Sequence, residues 1–218
     1  MPVVDLQGRR LVLASASPRR SELLRSVGLE FDVLPADIDE SVRAGETPSE
    51  YVARLSREKA AAIAERIDGE AVIVAADTTV DVDGQILEKP VDDDDARRML
   101  RLLSGRAHLV HTGVTVAWFP ETRARGTETC VVETVVRFVE LSDQSIDWYL
   151  STGEHVGKAG AYGIQGAAGA FVERVDGSVS NVIGLPLAET LDLLDPNNRN
   201  VPGSLRSAHE SRDFSGPW

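Results

Sequence analysis

The sequence predicts an α/β fold, a mixed twisted sheet with flanking helices forming two lobes around a cleft. Three observations lead there. Strand-like and helix-like segments alternate through the first half of the chain, the pattern of a sheet covered by helices. The second half adds strand pairs separated by turn residues, which makes part of the sheet antiparallel. Hydrophobic residues make up 42% of the 218, and periodic segments continue almost unbroken to residue 194, so global disorder is a poor reading. Residues 1–194 read as one domain. Residues 195–218, dominated by Pro, Asn, Arg, Ser and Gly, read as a flexible tail whose Phe214 and Trp218 could dock back.

The elements follow in chain order. Residues 10–14 suit a first buried strand. Ser17 is placed to cap the next helix, Pro18 fits its first turn, Leu23, Leu24 and Val27 form its apolar stripe, and Gly28 stops it. Residues 31–34 suit a short strand. Thr47-Pro48-Ser49-Glu50 is a capping box, opening a helix to about Ile67 with the stripe Val52, Leu55, Ile63 and Ile67. Lys59 is four residues from both Leu55 and Ile63, so it points to the apolar side. Residues 71–80 are apolar almost without interruption until Asp77 and suit a central strand. Asp83-Gly84 turns the chain into a returning strand that ends at Glu88-Lys89-Pro90. Residues 92–103 form a helix whose acids gather at its N-terminus, where the helix field favours them. Residues 111–119 and 130–138 form strands joined by a charged loop containing Gly126. Residues 141–150 suit a helix capped by Ser142, residues 153–169 a glycine-rich stretch, 171–175 and 178–183 a hairpin about Asp176-Gly177, and 185–194 the last helix.

Composition narrows the function classes. The net charge of -12 repels nucleic acid and anionic membrane, so no stable binding to either is expected, and local basic clusters stand out against the average. The lone Cys130 excludes an internal disulfide and sits in an apolar segment as a small buried hydrophobe. No apolar run approaches the roughly 20 residues of a membrane span. An acid stands at Asp5, where a signal peptide would carry lysine or arginine, so the cytoplasm is the expected location.

Several groups of residues could do chemistry. Leu13-Ala14-Ser15-Ala16-Ser17-Pro18-Arg19-Arg20 sets hydroxyls and guanidiniums at a strand-to-helix junction, where free backbone N–H groups and arginine forks suit phosphate. The same residues also suit an ordinary Ser-Pro helix start with two solvated arginines, and spacing does not separate the two readings. Lys59 either snorkels out of the apolar face or ends in a polar cleft with an anion. Asp77 sits at the expected exit of the central strand, where sheet enzymes place ligands; there a carboxylate can take a proton from water or hold a divalent cation, or serve only as a turn residue. Lys89 ends the hairpin that starts at Asp77, and a tight hairpin returns it toward that acid; Glu88 and the pair Asp39-Glu40 are weaker candidates. The stretch 158–166, Lys-Ala-Gly-Ala-Tyr-Gly-Ile-Gln-Gly, allows close backbone approach, with Gln165 to read a base edge or phosphate and Tyr162 to stack, or else forms a mobile loop. No phosphate-loop, dinucleotide or serine-hydrolase motif is present, and His108, His111, His155 and His209 have no zinc spacing.

Taken in order, these segments resemble the Maf family of nucleoside triphosphate pyrophosphatases, also described as septum-formation proteins. The landmarks are 13–20, Arg57-Glu58-Lys59-Ala60, Ala76-Asp77-Thr78, Leu87-Glu88-Lys89-Pro90, Leu102-Leu103-Ser104-Gly105, 158–166 and Gly184-Leu185-Pro186, and the match covers residues 10–194. The resemblance implies an inosine triphosphate pyrophosphatase-like fold with a deep cleft. It implies cleavage between the α and β phosphates, with a divalent cation (Mg2+, Mn2+ or Co2+) and a homodimer. It places the proton acceptor on Asp77, further catalytic positions on Lys59, Lys89 and Glu40, substrate binding on Ser15, Arg19, Arg20, Thr78 and Gln165, and the metal on Asp77 and Glu40. Ala76-Asp77-Thr78 together with 160–166 is similar to the branch acting on dTTP and UTP, including some modified pyrimidine nucleotides. Gly157 departs from the pattern, which has aspartate there. The alternatives are the same chemistry on 7-methyl-GTP or a non-canonical purine nucleotide, against which Thr78 and Gln165 weigh, and a non-catalytic nucleotide-binding regulator of division, against which Asp77, Lys59 and Lys89 weigh.

Overall fold

The computed structural model describes residues 4–120 and 126–195. The expected tail beyond Asp195, with Phe214 and Trp218, lies outside the described residues, as do His209 and residues 121–125 of the expected loop. Among the described residues seven strands form one mixed sheet. Strands β1 (Arg10–Leu13), β2 (Asp32–Val33) and β3 (Ala71–Val82) run parallel, with β1 between the other two. Strands β4 (Gln85–Leu87) and β5 (Ala107–Phe119) pair antiparallel with β3, and β6 (Thr127–Phe138) and β7 (Val172–Asp176) extend the sheet beyond β5. Among the described residues six α-helices accompany it: α1 (Pro18–Ser26), α2 (Pro48–Ala64), α3 (Asp93–Leu103), α4 (Asp143–Ser151), α5 (Val179–Ile183) and α6 (Leu187–Leu194).

The period-two alternation of β3 sorts the core. Ala71, Ile73 and Ala75 face α2 and pack with Ala60 and Ile63. Val72, Val74 and Ala76 face the other way, against Leu24 of α1 and Leu191 and Leu194 of α6. Further along that face, Val80 and Val82 meet Met99 and Leu103 of α3 and Ile146 and Tyr149 of α4. Burial on both faces explains why the strand reads as a continuous apolar run. Helix α2 lies unusually close to the sheet. A Cβ on Gly113 would come within 2.3 Å of the Val52 carbonyl oxygen, so only glycine admits the helix at that height. Gly113 is the cross-strand partner of Asp77, and the close approach therefore sets α2 at the level of that acid.

One strand edge decides where a site can form. β5 takes one edge of β3 from Ala71 to Asp81. β1 and β4 share the other edge, β1 pairing with Ala71–Val74 and β4 with Val80–Val82. Between them, residues 75–79 have no strand partner on that side among the described residues.

Several expectations change. The expected hairpin about Asp176-Gly177 does not form: its first strand is present as β7 but pairs with β6, and the following segment is helix α5. Ser178 caps α5 by accepting from the Asn181 N–H, and the buried Asn181 side chain donates to the Val110 carbonyl and to Thr134. That local capping and burial overrides the strand-like composition. Residues 153–169 are not a bare loop but carry two 3-10 turns, Ala159–Ala161 and Ala167–Phe171, anchored by Gly160 N–H to the Glu88 carbonyl and by Ala167 N–H to the Glu154 carboxylate. Helix α2 ends three residues before Ile67, and β5 and β6 begin earlier than expected, at Ala107 and Thr127. Cys130 is partly rather than fully buried; burial, then the charges of Glu189 and Asp192, pushes its thiol up to about 12.

His108 links this fold to pH. Its Nε2 is 2.8 Å from the Tyr162 hydroxyl, and its ring meets Phe138 edge-on at 5.0 Å. Burial, reinforced by the charge of Arg106, lowers its pKa to about 4. Between the unfolded value near ~6.5 and about 4, the unfolded chain binds a proton that the native state refuses. The stabilisation is fully present above that window and is lost as pH falls through it. Denaturant unfolding at pH 7 and pH 4.5 should show a loss about 2–3 kcal/mol larger in the wild type than in His108→Gln. Equal losses would refute this account.

Candidate active site

A cavity of about 360 Å³ opens at the unpaired edge of β3. Five cationic side chains line it, Arg19, Arg20, Lys59, Lys89 and Lys158, against two carboxylates, Glu40 and Asp77. This is a concentrated positive site in a chain of net charge -12, and it suits a polyanion.

The turn between β1 and α1 forms one wall. The buried Ser15 hydroxyl accepts from the Ser17 N–H at 3.2 Å and from Arg20 Nη1 at 3.1 Å. Ser17 occupies the cap position but makes no side-chain capping bond, contrary to expectation, and its own N–H is held by the Ser15 hydroxyl. The first turn of α1 therefore faces the cavity without a side-chain cap. The two arginines divide. Arg20 is buried, donating to Ser15, to the Gly184 carbonyl at 2.8 Å and to Thr78 at 3.1 Å, while burial lowers its pKa against the opposing field of Asp77. Arg19 is partly exposed in the cavity and makes no hydrogen bond or ion pair among the described residues. Of the expected pair of anion-gripping guanidiniums, Arg20 is thus bonded to three protein groups while Arg19 is left as an available fork.

Asp77 is not at a strand exit. β3 continues to Val82 because β5 and β4 hold it, but pairing with β1 stops at Val74, so the opening comes to Asp77 in mid-strand. The side chain of Lys59, carried on the sheet-facing side of α2, is 2.6 Å from Asp77 Oδ1 and 2.6 Å from Glu40 Oε1. Lys89 reaches Glu40 Oε2 at 2.9 Å rather than Asp77 itself, so charges alternate Asp77, Lys59, Glu40, Lys89. Burial opposes ionisation of Glu40, but Lys59 and Lys89 outweigh it and hold its carboxyl down at about 2. The Tyr51 hydroxyl donates to the Glu40 carbonyl at 2.9 Å and fixes that loop.

By the pleat, Thr78 points to the opposite face from Asp77. There the cavity continues past Thr78 to Val80, Val110, Val182 and Gln165. Gln165 is exposed and lines the wall as expected. Tyr162 does not serve as a stacking platform: its ring packs edge-on against Phe138 at 4.8 Å and its hydroxyl is taken by His108. Lys158, which no local pattern marks as a site residue, donates to the Glu154 carbonyl, and burial and then Arg19 lower its pKa. Asp39 instead accepts from the Ser41 N–H, and neither it nor Glu88 lines the cavity.

Asp77 and Glu40 are the two carboxylates of the cavity that could hold a divalent cation; Lys59 and Lys89 engage both Glu40 oxygens and Asp77 Oδ1, so such a cation would draw most of its ligands from water and substrate phosphate. No group of three His, Cys, Asp or Glu side chains is placed to hold a metal among the described residues. The described histidines pair with Tyr162, Asp81 and Asp93, and none of the three lines the cavity.

Over residues 10–196 the chain matches the family described as Maf-like protein. It is 58% identical over 186 residues to the dTTP/UTP pyrophosphatase of Anaeromyxobacter dehalogenans, covering 85% of this chain and 92% of that protein. It is 47% identical over 202 residues to the dTTP/UTP pyrophosphatase of Methylobacillus flagellatus, covering 92% and 99% respectively. Among solved structures, the nucleoside-triphosphatase / dITP/XTP pyrophosphatase of Mycobacterium abscessus matches with a TM-score of 0.36 at 15% identity, over 61% of this chain and 75% of that one.

Proposed function

This chain belongs to the family of Maf-like proteins, and on that premise we propose that it hydrolyses dTTP and UTP between the α and β phosphates, releasing the monophosphate and pyrophosphate. The observation that carries the reading is the Asp77–Lys59–Glu40–Lys89 array set beside the cation-rich turn at the open edge of β3. The α1 turn, Arg19, Lys89 and Lys158 receive the triphosphate. Lys59 holds Asp77 by Oδ1, and Oδ2, which makes no hydrogen bond among the described residues, takes the proton of the attacking water. A divalent cation on Asp77 and Glu40 (Mg2+, Mn2+ or Co2+) would neutralise phosphate charge when bound. Arg20 and Ser15 hold the wall in place, while Thr78 and Gln165 face the base. The family resemblance supports a cytoplasmic homodimer built on residues 1–194.

Incubation with Mg2+ and a panel of nucleoside triphosphates, followed by product separation, tests the reaction. Pyrophosphate with dTMP or UMP is the expected result. Orthophosphate release overturns the bond position, and activity confined to 7-methyl-GTP overturns the substrate assignment. Arg19→Ala should raise KM for dTTP about tenfold with an unchanged melting temperature, because Arg19 has no protein partner to lose among the described residues. An unchanged KM removes Arg19 from phosphate binding.

A further inference from the structure

We propose that Thr112 is a positioning residue that sets the hydrogen-bond polarity of Thr78, so that the site reads the N3–H of uracil or thymine and rejects cytosine. The inference rests on the proposed hydrolysis of dTTP and UTP and adds a means of base choice.

Thr112 is fully buried on β5 and is not among the residues lining the cavity, so it acts only through its neighbours. Its hydroxyl is 2.9 Å from the Thr78 hydroxyl and 3.0 Å from the backbone carbonyl of Asn181. Both ends of this relay have a settled direction. Arg20 Nη2 is a donor only and gives its hydrogen to Thr78. The Asn181 carbonyl is an acceptor only, and its residue is pinned by side-chain bonds to Val110 and Thr134.

Each threonine hydroxyl has one hydrogen and two lone pairs. When Thr112 donates to Asn181, Thr78 donates to Thr112. Thr78 has then accepted from Arg20 and given away its only hydrogen, and one lone pair is left for a ligand. In the other arrangement, Thr78 donates to the Gly184 carbonyl at 3.4 Å and Thr112 donates to Thr78, which fills both lone pairs. The first arrangement keeps the 3.0 Å bond to the Asn181 carbonyl, whereas the second gives it up for the long 3.4 Å contact to Gly184, so the first prevails and Thr78 offers the cavity a lone pair rather than a hydrogen.

Uracil and thymine carry an N3–H donor between two carbonyls, whereas cytosine presents a bare N3 acceptor there. A wall hydroxyl restricted to accepting matches the first and leaves two acceptors opposed with the second. Thr112→Val is close in volume and removes the partner that takes the Thr78 hydrogen, leaving the hydroxyl free to turn toward the base.

The test is kcat/KM for UTP and CTP in the wild type, Thr112→Val and Thr112→Ser. The wild type should favour UTP. In Thr112→Val the UTP-to-CTP ratio should fall about tenfold, the scale of one net hydrogen bond, mainly through KM, and Thr112→Ser should restore it. If Thr112→Val does not fold, Thr112→Ala is read the same way. An unchanged ratio in a folded variant, or no recovery with serine, overturns the proposal. A wild type that takes CTP as readily as UTP also overturns it while leaving the hydrolysis intact, and a wild type that cleaves neither dTTP nor UTP overturns the proposed function instead.

Discussion

Asp77→Asn is expected to lower kcat on dTTP by 100-fold or more, with KM and nucleotide affinity within a few-fold of the wild type. The substitution keeps shape and backbone pairing, and the amide oxygen can still accept from Lys59, now 2.6 Å from Oδ1. It removes the basic oxygen that receives the proton, and general-base catalysis is commonly worth about 10²–10⁴ in rate. Single-turnover hydrolysis and calorimetric titration of a nucleotide separate the two effects. Turnover within twofold of the wild type would take Asp77 out of the chemical step.

Lys59→Met is expected to abolish measurable turnover and to destabilise the fold. The ammonium is buried and bridges two carboxylates at 2.6 Å each. Methionine preserves the apolar stem but leaves Asp77 and Glu40 opposed without their shared cation. Breaking a buried pair commonly costs about 3–5 kcal/mol, and the lower end applies because Glu40 remains 38% exposed. The pH dependence distinguishes repulsion from simple loss of packing. In the native protein Glu40 is held at about 2, so its contribution is fully present above the ordinary carboxylate range and is lost only as pH falls toward about 2. In Lys59→Met the Glu40 pKa should rise, and any rise above its unfolded value makes the variant less stable as pH increases through that range. NMR titration of the Glu40 carboxyl together with unfolding at pH 4 and 7 checks this. A Glu40 pKa that stays at about 2 would show that Lys59 does not hold it there.

The site was legible in proportion to how local its signals are. Lys59 was found because helical spacing alone puts it on the apolar side of α2, where the structure has it buried. Glu40 was only a weak candidate, since nothing between residues 40 and 59 says that a loop folds back over a helix. Arg19 and Arg20 are adjacent and chemically identical in the sequence. Their separation into an available fork and a buried strut depends on Thr78 and Gly184, 58 and 164 residues from Arg20. Composition suits residues 178–183 to a strand because it does not reveal the buried partners of Asn181.

By itself, the sequence determined the class of fold, most of the elements and the chemical kinds at the site. Strand and helix periodicity, caps and turns act over a few residues and are written locally. Only the tertiary structure decided where those groups meet. Pairing of β3 with β1 ends at Val74 and pairing with β4 resumes at Val80, which opens the strand edge at Asp77. Gly113 lets α2 settle low enough to bring Lys59 to that acid, and the pleat turns Thr78 to the other face. The physical reason is that strand pairing and close helix packing join residues tens of positions apart, where no local periodicity reaches.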